Sequence, residues 1–101
     1  MASNAAFIFV VPAAEKDRYE TVLETPVVNM LFVGVKDYAE AAKVAKEMVQ
    51  NQEVTAIELC AGFGPRGVAL VCEAVGESAS VGVVRFDHHP ALGFKSGDTV
   101  F

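Results

Sequence analysis

The chain has 101 residues, of which 52% are hydrophobic, with eight glycines and a net charge of −5 from thirteen acids and eight bases. With glycine counted and tyrosine left out, the apolar share is about 58%, against roughly 45–50% for an ordinary domain. Length sets a single α/β domain spanning residues 1–101, and the apolar surplus argues against disorder and against a disulfide-stapled miniprotein. The acidic balance, with no basic run, argues against nucleic-acid binding.

In chain order, Ala5–Val11 is a continuous apolar run of strand length, ended by Pro12. No Lys or Arg precedes it, and it is far shorter than the ~20 apolar residues of a membrane span, so the reading is a buried strand in a cytoplasmic protein with no membrane partner. Glu15–Glu24 places Tyr19, Val22 and Leu23 at i, i+3 and i+4 and reads as a short, weak helix, closed by Pro26. This first crossover either crosses as that helix or folds back as an antiparallel connection.

Val27–Val35 reads as the second strand. Asp37 is placed to cap a helix whose inward face is Tyr38, Ala41, Ala42, Ala45, Met48 and Val49. Val54–Cys60 is the third strand. The glycine-rich turn Ala61–Pro65 leads into a second helix, with Pro65 at its start, a stripe of Val68, Val71, Cys72 and Val75, and Gly76 at its end. Val81–Phe86 is the fourth strand, and Asp87–Phe101 is an apolar tail. The expected fold is therefore a small, mostly parallel four-stranded sheet with two main flanking helices.

In open parallel sheets ligands gather outside the carboxyl ends of the strands. There the amides of Gly62, Gly64 and Gly67 lead into a helix N-terminus beside Arg66, an arrangement suited to a small anion, or else simply a tight turn. Gly62-x-Gly64-x-x-Gly67 matches the dinucleotide spacing, but no strand-ending acid follows about twenty residues on, Asp87 coming closest only at the end of the next strand, and no cofactor is indicated.

Glu58 interrupts an apolar strand. It reads as an ion pair with Arg85, as an acid or base of altered pKa, or as a subunit contact. Asp87, His88 and His89 follow the fourth strand. Adjacent histidines in extended backbone point opposite ways, so no metal site is expected, while His88 remains a candidate acid, base or ligand contact. Cys60 at a strand exit is a candidate nucleophile, although Cys60 and Cys72 read chiefly as buried, reduced thiols. Lys95-Ser96-Gly97-Asp98 reads as a polar turn with the option of folding over the strand ends as a lid.

The motifs IELCAGFG, VGVVRFD, HPALG and KSGD, with AFIFVVP and the closing GDTVF, resemble a family of prokaryotic proteins of about a hundred residues and unknown function. The resemblance implies a compact α/β domain and no established activity. Three functions are open: an oligomeric enzyme acting on an anionic metabolite, a non-catalytic ligand-binding or regulatory module, and an assembly protein. Self-association, as dimer or trimer, is expected under all three, because four strands in so short a chain cover their faces and edges poorly.

Overall fold

A computed structural model describes residues 2–15 and 18–101. Its strands are β1 (Ser3–Val10), β2 (Arg18–Glu24), β3 (Val28–Val35), β4 (Val54–Leu59) and β5 (Ser80–Val83), and its helices are α1 (Tyr38–Asn51) and α2 (Pro65–Val75). They form one sheet in the order β2-β3-β1-β4-β5. All neighbours are parallel except β2 and β3, which are antiparallel.

The expected α/β class and mostly parallel sheet are present, but the sheet has five strands. Of the segment read as a short helix, Arg18–Glu24 is β2, Glu15 lies outside the sheet, and residues 16 and 17 lie outside the described residues. Of the two connections left open, the antiparallel one forms. Ten residues without a cap are a poor isolated helix, whereas Tyr19, Thr21 and Val22 favour a strand. The following turn is also built for a hairpin: the Thr25 hydroxyl accepts from the Val28 amide at 3.0 Å, and the Thr25 amide donates to the Val28 carbonyl at 3.1 Å. Arg18 then ties β2 to α1 through Glu47 at 2.7 Å.

The helix signals hold. Asp37 accepts from the Glu40 amide at 2.9 Å, Pro65 opens α2, and Gly76 follows it with φ +57. Tyr38, Ala41, Val44, Ala45 and Met48 form the buried stripe of α1. Val71 and Val75 do so for α2, while Cys72 is exposed, contrary to the buried thiol expected. The fourth predicted strand is shorter than expected, ending at Val83 rather than Phe86.

The core lies between the helices and one face of the sheet. Ala6, Ile8, Val33, Val35, Ile57 and Leu59 point into it and are essentially inaccessible. Residues between them in sequence point to the other face, which neither helix covers. Phe7, Phe9, Met30 and Phe32 are only half-buried there, and Leu23 is 57% exposed. Ile8→Ala should therefore cost about 2–5 kcal/mol of folding stability in urea denaturation. Asp37→Ala should cost about 0.5–2 kcal/mol through the lost cap.

Candidate functional site

The glycine-rich exit of β4 meets the C-terminal tail at the start of α2. Gly64 occupies the cap position of α2 and brings no side chain to it, so the first amides of the helix need a partner from elsewhere. Asp98 supplies it. Its carboxylate accepts from the Arg66 amide at 3.0 and 3.1 Å and from the Gly67 amide at 3.4 Å. The Tyr38 hydroxyl donates to the same carboxylate at 2.9 Å and accepts from the Gly64 amide at 2.9 Å. Arg66 reaches the Asp98 carbonyl at 3.1 Å, and the Ser96 hydroxyl accepts from the Asp98 amide at 3.2 Å.

This clamp explains Gly64, Gly67 and Gly97 by close approach. A Cβ on Gly64 would lie 2.5 Å from the Asp98 carboxylate and from the Ser96 hydroxyl. One on Gly67 would lie 2.6 Å from the Tyr38 ring, and one on Gly97 would collide with the Gly62 carbonyl. Tyr38 itself is fixed by stacking on Phe63, centroids 5.6 Å apart, and by Phe101 at 6.0 Å.

Burial pushes the Tyr38 hydroxyl up to about 12, reinforced by its bond to Asp98 and by that residue's charge. Burial also pushes the Asp98 carboxyl up, but the amides of Arg66 and Gly67, the Tyr38 hydroxyl and the Arg66 charge outweigh it and leave it below its ordinary 3.8.

The Arg66 and Gly67 amides thus meet an anion that belongs to the chain itself, the Gly64 amide reaches it through Tyr38, and the Gly62 carbonyl lies beside Gly97. The other candidates lie elsewhere. Glu58 is exposed on the bare face of the sheet. The expected ion pair with Arg85 does not form: Arg85 pairs with Asp87 at 2.9 Å, both well exposed. His88 Nδ1 lies 3.2 Å from the Phe94 carbonyl, and His89 Nδ1 accepts from the Ala91 amide at 3.0 Å. Both belong to an exposed segment after β5. Cys60 is half-buried, with its amide on the Ile8 carbonyl at 2.9 Å. No hydrogen bond or ion pair joins Glu58, Cys60 and His88 among the described residues, and no three His, Cys, Asp or Glu among them are grouped to hold a metal ion. Among the described residues no helix is long and apolar enough to cross a membrane.

Sequence reasoning did not assign Tyr38 and Asp98 to this cluster. The available signal was a helix start with glycine at the cap and proline next, which leaves amides unpaired, together with an aspartate after a glycine in the tail.

Fold and clamp define a small two-layer α/β domain whose C-terminal segment is fastened to the start of its second helix. The chain belongs to a family of unknown function, DUF6506, whose model matches residues 3–99. No curated protein matches it, and no solved structure matches it.

The clamp should be visible in the pH dependence of stability. A raised Tyr38 favours the native state fully below pH 10, and that contribution is lost as pH climbs towards about 12. A lowered Asp98 contributes above its ordinary value of 3.8 and is lost as pH falls through the lower folded value. Urea denaturation across pH should show Tyr38→Phe without the alkaline component and Asp98→Asn without the acid one. Asp98→Ala should cost about 0.5–2 kcal/mol at neutral pH, as for other helix caps. Unchanged acid and alkaline limbs would count against the clamp.

Proposed function

We propose that this protein is a self-associating subunit, joined to a second copy through the bare face of its sheet. The observation that carries the reading is the placement of both helices on one face, which leaves Phe7, Phe9, Met30, Phe32 and Leu23 without cover on the other. The largest contiguous apolar face of a small domain often serves as an interaction surface. Among the described strand residues, Glu58 is the single charge on this face, so two copies that each carry −5 can meet there with little repulsion.

The anionic-metabolite reading would draw on Arg66, Arg85 and the amides from Gly62 to Gly67. Asp98 engages Arg66 and the leading amides of α2, and Asp87 engages Arg85. The geometry therefore favours assembly.

Mass action makes the stability of such an assembly depend on concentration. The midpoint of thermal unfolding should rise as the wild type is concentrated. Leu23→Asp, at a position 57% exposed in the single chain, should stay folded by circular dichroism and lose that dependence. A wild-type midpoint independent of concentration would count against association.

A further inference from the structure

The bare face is unequal about its central strand. The registers place three rows across it in the order β2, β3, β1, β4, β5. One row is Leu23, Met30, Ala5, Ala56 and Ser80, and the next is Thr21, Phe32, Phe7, Glu58 and Gly82. The third begins Tyr19, Gly34 and Phe9, and continues past the ends of β4 and β5 to Cys60 and Val84, whose amides donate to Ile8 and Leu59. The β2–β3 half is bulky. The β4–β5 half is small apart from Glu58, and a Cβ added at Gly82 meets nothing within 4 Å.

We propose that the second copy docks with a two-fold axis running along β1, so that β2 and β3 of each copy cover β5 and β4 of the other. This rests on the self-association proposed above and specifies its geometry. Sheets packed face to face lie about 10 Å apart with their strands roughly aligned, and facing positions fill best when large meets small. This axis sets Leu23 over Ser80, Met30 over Ala56 and Thr21 over Gly82. Phe7 and Phe9 of β1 meet their own counterparts along the axis.

Charge selects the same axis. An axis across the strands would lay every strand over itself, bringing Glu58 against Glu58 and facing Gly82 with Gly82. The axis along β1 sets Glu58 over Phe32 instead, and holds the two carboxylates two strand spacings apart sideways, about 10 Å, in addition to the gap between sheets.

Size is sufficient. Five strands about 4.8 Å apart, with roughly 20 Å of strand length, give about 500 Å² of face per copy. The pair then buries about 1,000 Å², the threshold for a specific interface. The segment leaving β5 adds to it. Because β2 runs antiparallel to the other strands, its Tyr19 end lies level with the exit of β5, and an axis along the strands preserves that level. Val84 and Phe86, 50% and 40% exposed, thus come towards the shallow groove of about 210 Å³ lined by Phe9, Tyr19, Glu20, Thr21 and Phe32.

The test is site-directed cross-linking in a chain with Cys60 and Cys72 replaced by serine, its fold checked by circular dichroism and its mass by light scattering. Leu23→Cys chains are mixed with Ser80→Cys chains and treated with a short bis-maleimide. The mixture should give a cross-linked heterodimer, and Leu23→Cys alone should not cross-link, because its two copies then lie four strand spacings apart sideways, about 19 Å, in addition to the gap between sheets. Gly82→Phe should keep the fold and raise the dimer dissociation constant about tenfold or more, by filling the space that receives Thr21. A dimer in which Leu23→Cys cross-links to itself, or in which the mixture does not cross-link, overturns the axis and leaves self-association standing. A monomer at every concentration overturns both.

Discussion

Handedness is the constraint on which the architecture rests. From β3 the chain passes through α1 to β4 and through α2 to β5, and both steps move the same way across the sheet. A crossover between parallel strands is right-handed in nearly all proteins. Two right-handed steps in one direction must put both helices on the same face. The core is therefore one-sided, and the residues alternating with Ala6, Ile8, Val33 and Leu59 have no layer of their own to pack against. The tail after β5 returns to the helix side, where Asp98 meets the start of α2.

What the tail does there follows from the unpaired donors of a helix start. With Gly64 and Pro65 opening α2, no local side chain is available to accept from the Arg66 and Gly67 amides. A carboxylate from Asp98 takes them, and Tyr38, the first residue of α1, links that carboxylate to the Gly64 amide. One cluster thus joins the start of both helices to the C-terminal segment. The physics is that of anion binding at a helix terminus, with the anion supplied by the chain itself.

Much of this was legible in the sequence. The apolar runs gave β1, β3 and β4 to within a few residues, and Asp37, Pro65 and Gly76 marked helix ends by chemistry that acts locally. β2 was misread because Tyr19, Val22 and Leu23 satisfy helical spacing by coincidence, and only pairing with β3, a tertiary effect, decides their state. The glycine spacing was visible, but its cause was not. At Gly64 it is the close approach of Ser96 and Asp98 and at Gly67 that of the Tyr38 ring, both from far along the chain, which no local pattern encodes. Glu58 stood out correctly as an acid in an apolar strand. Its alternation with Ile57 and Leu59 already set it on the face opposite the core, and the one-sided placement of the helices makes that face bare.

Whether a second copy covers that face is read most directly from the molar mass of the wild-type chain in solution. Sedimentation equilibrium over a range of concentrations should give a mass that rises towards twice 10.7 kDa and levels there. A mass that stays at 10.7 kDa at the highest concentrations would contradict it.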